Sequence, residues 1–316
     1  MSTLAAAAAG DEQAFVQLTA PLRRQLHVHC YRMLGSVHDA DDALQETMLR
    51  AWRSIGRFEP RAELSSWLYR IATNVCLRMI EKRERVPAAV DTHLEPYPDV
   101  LLDTGTPEAE TERREAIGLA FVAAMQLLPP RQRAVLVLRD VLDWSAREVA
   151  DTLGLSVAAA NSALQRARQR VERERREGRL ARVHRPADEE TEAALMRRFV
   201  EAWEAGDIEG LTRLLAGDAL MTMPPDPMRA LGAEAIAGFF ATVPMGGRLD
   251  LIRLRPTRAN GQPALAAYVQ ESAADSFRAY GIMVFAIGAD EIAGITGFAG
   301  KPGLYPVFRL PLALTA

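Results

Sequence analysis

The feature that most constrains this chain is a change of period along it. Up to about Arg182 the apolar residues recur at three- and four-residue spacing, whereas beyond residue 216 they gather into short runs at 219–223, 249–255, 264–270, 279–287 and 291–298. The first spacing lays one apolar stripe along each helix, and the second builds strands. A chain that finishes with one period before taking up the other predicts an all-α portion followed by a separate α+β portion, because each kind of element buries its apolar face against its own layer.

Breaks refine this reading. Helices are expected near 11–33, 39–55 and 64–85, separated by Gly35 and by the stretch 56–62. Between Val86 and Pro107 the pattern lapses into prolines, acids and small residues, the composition of a linker. Periodicity resumes over 108–125, stops at Pro129-Pro130 and continues through two more helices to about Arg182. Pro186 and Asp188-Glu189-Glu190 mark a second boundary, after which helices at 191–205 and 208–216 precede the strands. The 316 residues, 49% hydrophobic and 25% charged, suit two or three cores rather than one. No run approaches the ~20 apolar residues of a membrane span, and the alanine-rich start lacks the basic flank of a signal peptide, so a cytoplasmic protein is expected. Cys30 and Cys76 both lie in helical patterns and read as buried, reduced thiols.

The net charge of -3 divides unevenly: 27 Lys+Arg against 25 Asp+Glu up to residue 185, then 11 against 16. Nine arginines fall between Asn161 and Arg185 beside Glu172, Glu174 and Glu177, a local excess suited to a polyanion or to a solvated helix end. The stretch 144–176 gives that excess a context. Ser145 and Glu148 form a capping box, Gly154 ends the helix they open, and Ser156 caps a second one. In this second helix Val157, Ala160, Leu164, Ala167 and Val171 make one buried stripe, which leaves Asn161, Ser162, Gln165, Arg166 and Arg168 for base edges and phosphates. Helix, glycine turn and helix make a helix-turn-helix, with an αα-hairpin of polar outer face as the bland alternative.

The motif Leu127-Leu128-Pro129-Pro130-Arg131-Gln132-Arg133, followed by 135–140 and this helix-turn-helix, resembles region 4 of the extracytoplasmic-function sigma factors. Upstream, Asp39-Ala40-Asp41-Asp42-Ala43-Leu44-Gln45-Glu46-Thr47 with Leu49, Ala51 and Trp52 resembles region 2.2, and 65–74 is similar to the regions that open and read the minus-ten element. The resemblance implies a transcription-initiation subunit, not an enzyme, whose partners are core RNA polymerase and promoter DNA. It assigns polymerase docking to Asp39, Asp41, Asp42, Gln45, Glu46, Leu49 and Trp52, and minus-ten contacts to Arg61, Ser65, Ser66, Trp67, Arg70, Asn74 and Arg78. Minus-thirty-five contacts fall to Arg147, Ser156, Asn161, Ser162, Gln165, Arg166 and Arg168, and the 58–64 loop becomes a pocket for a flipped base. The physics is compatible. Carboxylates favour the first turns of a helix, where capping is the competing explanation, and Trp67 and Tyr69 offer stacking faces where core packing is the competing explanation.

The C-terminal portion resembles the SnoaL-like members of the nuclear transport factor two-like superfamily, cone-shaped α+β folds with a central pocket, through 199–208, 211–215, 221–225 and 229–232. Sigma factors carrying this fusion are a recognised group. Glu95-Pro96-Tyr97-Pro98-Asp99, 256–263 and 304–311 resemble that group, although Lys301-Pro302-Gly303 stands where an acidic residue is expected. The resulting division is region 2 over 1–86, a linker over 87–107, region 4 over 108–185 and a SnoaL-like regulatory domain over 186–316.

Met221, Met223, Met228, Phe239 and Phe240 are candidates to line a pocket for a small-molecule ligand, or else ordinary core. The competing function is a helix-turn-helix regulator fused to a small-molecule-binding or enzymatic domain, with Asp218, Asp226, Glu234, Tyr268 and Tyr280 as its acid-base groups. His27, His29 and Cys30 lie close in sequence but diverge on a helix, so no metal site is expected. No phosphate-cradling glycine loop or nucleophile elbow is present, and no cofactor is expected.

Overall fold

The computed structural model describes residues 2–59, 63–84, 94–102, 118–177, 187–270 and 276–314. It divides into two compact units, one of Met1–Glu95, Leu101–Ile117 and Phe121–Arg173, the other of Pro96–Val100, Gly118–Ala120 and Glu174–Ala316.

The first unit is helical. It contains α1 (Thr3–Ala8), α2 (Glu12–Thr19), α3 (Arg23–Leu34), α4 (Val37–Ser54), α5 (Leu64–Glu84), α7 (Pro130–Leu136), α8 (Ala146–Leu153) and all but the ends of α6 (Leu119–Gln126) and α9 (Val157–Arg176). The expected single helix at 11–33 is two helices joined by a 3-10 turn over Ala20–Leu22, because Pro21 lacks the N–H that would continue the ladder. α3, α4 and α5 pack around Leu26, Cys30, Ala40, Ala43, Leu68 and Ala72, all at most 0% exposed, and Cys30 and Cys76 are free thiols in that core. α7 joins them through Arg133, a buried guanidinium. Its Nη1 donates to the α3 carbonyl of Met33 (2.5 Å), and its Nη2 donates to the carbonyls of Gln126 (3.0 Å) and Leu128 (3.3 Å).

The second unit is an α+β layer pair. α10 (Glu189–Glu204), α11 (Ile208–Thr212) and α12 (Ala233–Thr242) accompany a seven-stranded sheet, with a short α13 (Leu304–Val307) near the end. Its strands are β1 (Leu215–Met223), β2 (Asp226–Leu231), β3 (Ile252–Ala259), β4 (Gln262–Val269), β5 (Phe277–Ile287), β6 (Ile292–Phe298) and β7 (Ala313–Leu314). Their order is β2-β1-β6-β5-β4-β3, with β7 on β5, and the β1–β6 pair is parallel in an otherwise antiparallel sheet. The five apolar runs became β1 and β3 to β6. The expected helix at 208–216 stops at Thr212 and the chain is already β1 at Leu215, while β2 and α12 add elements the periodicity did not indicate. Phe199, Trp203, Phe240 and Phe285 knit the helices to the sheet, with Phe199–Phe285 and Trp203–Phe240 centroids 5.0 and 5.2 Å apart at steep angles.

Part of the stretch read as a free linker is packed. Tyr97, in the second unit, is 0% exposed, its N–H donating to Asn260 Oδ1 (2.8 Å) and its carbonyl accepting from Asn260 N (2.8 Å). Asp99 accepts from Gly261 N (2.8 Å) and faces Arg258, whose Nη1 lies 3.1 Å from Glu192. The receiving element is the β3–β4 hairpin, whose two-residue turn puts Asn260 and Gly261 at φ 58° and 70°. Asn-Gly suits that turn because both central residues must adopt positive φ.

Candidate functional site

The docking candidates lie on α4. Ser36 caps the helix, its Oγ accepting from Asp39 N (3.1 Å), and Glu95 doubles the cap from far along the chain. Its Oε2 accepts from Ser36 Oγ (2.7 Å) and Val37 N (3.0 Å) and sits 3.0 Å from His38 Nδ1. Burial raises the Glu95 carboxyl, but the hydrogen bonds from Ser36 and His38 outweigh it and hold the group below the ordinary carboxylate range. Of the predicted acids, Asp39 is ion-paired with Arg83, Asp41 lies 3.1 Å from His27, and Glu46 accepts from Arg50 (2.6 Å). What the helix presents outward is Asp42, Gln45 and Leu49, spaced to share one face, with half-buried Trp52 beyond them against Phe15. Leu49, 49% exposed, is an apolar side chain that the unit's own core does not use.

On α5, half-buried Trp67, exposed Arg70, half-buried Asn74 and exposed Arg78 fall three, four and four residues apart and share a stripe. Trp67 is tilted against Phe58 (5.1 Å between centroids), Asn74 donates to the carbonyl of Arg70 (2.9 Å), and Ser65 and Ser66 are half-buried at the start of the helix. Arg61 and part of the 58–64 loop lie outside the described residues. Tyr69 does not join this face. It is 9% exposed and edge-packed on His29 (5.2 Å), its phenol pushed up to about 12 by burial, so its ring is core rather than a stacking platform.

His29 is equally internal. Burial first, then the charge of Arg32, push it down to about 3, so its ring is neutral, with Nε2 against Thr73 Oγ1 (2.9 Å). Among the described residues no group of three or more His, Cys, Asp or Glu gathers to hold a metal ion.

The helix-turn-helix forms from local signals. Ser145 Oγ accepts from Glu148 N (3.2 Å) and Glu148 Oε2 from Ser145 N (2.8 Å), interactions that hold this exposed carboxyl low. Gly154 closes α8 at φ 64°, a left-handed conformation that costs glycine nothing. Ser156 serves as the cap of α9, accepting from Ala159 N (3.1 Å). Ala160, Leu164 and Ala167 are buried as the stripe requires, with Ala163 added, Val171 half-buried and Val157 45% exposed at the first turn. Arg147, Asn161, Ser162, Gln165, Arg166 and Arg168 are exposed. Arg168 is held by Asp140 through two bonds, Nε–Oδ2 2.9 Å and Nη2–Oδ1 2.7 Å, whereas Gln165 projects with no such bond described.

The second unit carries a half-open, mainly apolar cavity of about 130 Å³ between α12 and the sheet. Met221, Met223, Phe239 and Phe240 line it, while Met228 only packs against the neighbouring core. Of the five acid-base candidates only Tyr280 reaches the lining. Tyr268 is buried and donates to the Pro311 carbonyl (3.0 Å), Asp226 Oδ1 accepts from Met228 N (2.8 Å), and Asp218 and Glu234 are exposed.

Sequence reasoning missed three functional contributors. Arg133, Glu95 and Trp203 all stand inside motifs, but the partners of Arg133 and Glu95 are remote in sequence and the packing of Trp203 is set by the helix–sheet contact. The Asn260-Gly261 dipeptide was the one signal that could have exposed the hairpin holding Tyr97.

Comparison with known proteins agrees with these elements. Residues 18–86 match the Sigma-70 region 2 family, 118–171 match Sigma-70, region 4, and 196–295 match the SnoaL-like domain family. ECF RNA polymerase sigma factor SigG of Mycobacterium tuberculosis is 40% identical over 314 residues, covering 94% of this chain and 84% of that protein. SigM of the same species is 37% identical over 170 residues, 54% of this chain and 81% of its own length. The crystal structure of M. tuberculosis extracytoplasmic function sigma factor SigJ superposes with a TM-score of 0.65 at 23% identity, covering 94% of this chain and 99% of that one, a likeness of fold. With region 2 and region 4 in order, and identity to SigG sustained across nearly the whole length, this chain belongs to the ECF RNA polymerase sigma factors and carries a SnoaL-like domain after its region 4.

Proposed function

We propose that the chain docks on core RNA polymerase through the α4 face of Asp42, Gln45, Leu49 and Trp52, reads the minus-ten element with α5 and the minus-thirty-five element with α8 and α9. The observation that carries this reading is a pair of stripes: half-buried Trp67 with exposed Arg70 and Arg78 on α5, and exposed amides and guanidinium groups on α9. The first suits unpaired bases and phosphates, the second duplex base edges. Asp39, Asp41 and Glu46 assist docking only by exchanging their internal partners for those of the polymerase, and Arg168 reaches phosphate only on leaving Asp140.

Geometry adds a requirement. The two elements lie about 25 base pairs apart, roughly 85 Å at 3.4 Å per pair. A compact unit of the size of this helical one is roughly 40 Å across. Region 2 and region 4, fastened here by Arg133 on Met33, therefore separate when both elements are read.

The SnoaL-like domain acts in this scheme as a modulator of initiation without chemistry of its own, supported by the placement of four of its five acid-base candidates away from the cavity. The chain works where polymerase and promoter are, in the cytoplasm; among the described residues no helix is long and apolar enough to cross a membrane.

The test is co-elution of the purified full chain with core polymerase, followed by run-off transcription on mapped promoters. Leu49→Asp is expected to weaken core binding by tenfold or more while leaving the fold intact. A wild-type protein that binds duplex promoter DNA but never core enzyme sinks the reading. Truncation after Arg185 is expected to change output from a cognate promoter, and unchanged output across salt concentrations makes the domain a passenger.

A further inference from the structure

Val157 does not behave as its spacing predicts. The period it shares with Ala160, Leu164, Ala167 and Val171 puts it on the buried stripe of α9, yet it is 45% exposed whereas Ala160, Leu164 and Ala167 are buried. It adds little to the helix either. A β-branched side chain is a poorer helix former than alanine, the residue at each of the next three positions, Ala158, Ala159 and Ala160. Neither core packing nor helix propensity therefore accounts for a valine here. Its place does. Ser156 is the cap of α9, its Oγ accepting from Ala159 N (3.1 Å), so Val157 and Ala158 open the second helix of the helix-turn-helix. In that motif the first residues of the second helix reach base edges in the major groove.

Val157, Asn161 and Gln165 follow one another at four-residue spacing along one face, with Ala158 and Ser162 beside them, and all five are exposed. Asn161 and Gln165 bring amides to that face, whereas Val157 and Ala158 bring only methyl groups, which neither donate nor accept. Among the base edges of the major groove, the apolar group that answers such a surface is the C5-methyl of thymine. We propose that Val157 is a specificity-determining residue of region 4, packing against a thymine C5-methyl in the minus-thirty-five element. The inference rests on the reading of α9 as the helix that enters that element. Spacing adds a register. Val157 and Gln165 are eight residues apart, about 12 Å at 1.5 Å per residue, or roughly three to four base pairs at 3.4 Å each. The T·A pair sensed by Val157 thus lies about that far from the pair whose preference relaxes in Gln165→Ala. Cytosine in place of this thymine removes the methyl and lays an amino donor against a side chain that cannot accept.

The experiment uses the holoenzyme of the full chain with core polymerase, on duplexes carrying a mapped cognate promoter. Each thymine of the minus-thirty-five element is replaced in turn by deoxyuridine, which pairs identically and lacks only the methyl. At one position this is expected to weaken binding about fourfold, the worth of one buried methyl group, and cytosine at the same position should weaken it further. In Val157→Ala the deoxyuridine effect at that position should vanish, while Gln165→Ala should keep it in full. Alanine at an exposed helical site preserves the fold, which a thermal melt of the variant checks. Three results would each overturn the proposal while leaving promoter binding intact: indifference to every thymine methyl, a sensitivity that Val157→Ala leaves unchanged, or a minus-thirty-five element without thymine on either strand. A holoenzyme that binds no promoter duplex would instead overturn the reading of α9 beneath the proposal, and the proposal with it.

Discussion

Arg133 and Trp203 are both buried polar side chains, one in each unit, and they differ in how far their polarity is answered. The guanidinium of Arg133 is 6% exposed; its two terminal nitrogens find three carbonyls, on α3, at the last residue of α6 and on the turn beyond it, while its Nε is a buried atom with no hydrogen bond of its own. The indole of Trp203 is 2% exposed and finds nothing. A buried group with several partners reports how a fold is fastened, whereas one without is a cost that the surrounding packing offsets. In the function proposed above the helical unit works on its exterior, where α4, α5 and α9 present side chains outward, while the SnoaL-like unit keeps its apolar cavity between helix and sheet.

The largest effect that can test this contrast is on the fastener. Arg133→Ala strands the carbonyls of Met33, Gln126 and Leu128 and is expected to cost about 3 kcal/mol, read as a lower urea midpoint for the helical unit with that of the SnoaL-like unit unmoved. A loss below ~1 kcal/mol would mean that the guanidinium does not fasten the helices.

Next comes a well-answered group in the other unit. The Tyr305 hydroxyl lies between the carbonyls of Ala267 (2.5 Å) and Gly281 (2.8 Å) and accepts from the amides of Tyr280 and Gly281 (3.2 Å each). Tyr305→Phe should cost the SnoaL-like unit about 2 kcal/mol by thermal or urea unfolding. If it does not, orphaned polar groups are tolerated in this unit and the significance of Trp203 falls with them.

A smaller effect carries a pH signature. The folded-state pKa of Glu95 lies below its ordinary value of 4.5, so its contribution is complete above that value and is lost as pH falls through and below it. Glu95→Gln is expected to cost about 1 kcal/mol at neutral pH, and the gap between wild type and variant should close on acidification below the ordinary carboxylate range, followed by urea unfolding at stepped pH. A gap that persists unchanged at low pH would show that the carboxylate charge is irrelevant to the cap of α4.

The smallest stability effect belongs to the exposed pair of Arg168 and Asp140, solvent-screened and worth under about 1 kcal/mol. Asp140→Ala should scarcely alter unfolding, yet by releasing Arg168 it should tighten binding to all duplex sequences and steepen the logarithmic salt dependence by about one. Gln165→Ala in the same assay should instead relax preference at one base pair, by about 1–3 kcal/mol of discrimination. Identical behaviour of the two variants would erase the division of labour on α9.

The helices were legible in the sequence wherever their signal was local. Apolar stripes at three- and four-residue spacing marked α4, α5 and α9, and the Ser145–Glu148 box with Gly154 marked the turn of the helix-turn-helix to the residue. The same logic overran Pro21, where a single missing N–H outweighed an unbroken apolar pattern, and it read 208–216 as one helix although the chain turns into β1 at Leu215. For the site, the sequence supplied the exposed residues of α9, since whatever is not on the buried stripe faces out. It gave Tyr69 a stacking role that only packing could deny, because an aromatic ring in a helix has the same local signature on either face.

By itself the sequence determined the periods, the caps and the order of the units, and therefore the family, because these depend on residues within a few positions of one another. Tertiary structure decided where each polar group found its partner. Arg133 meets Met33 across 100 residues, Glu95 caps a helix 58 residues upstream of it, and Tyr97 closes on Asn260 across 163. Such pairings leave no periodic trace, because a hydrogen bond constrains the distance between two atoms and not the number of residues that separate them. The cavity beside Trp203 belongs to the same class, since an empty volume is a property of how α10, α12 and the sheet meet and is written in none of them alone.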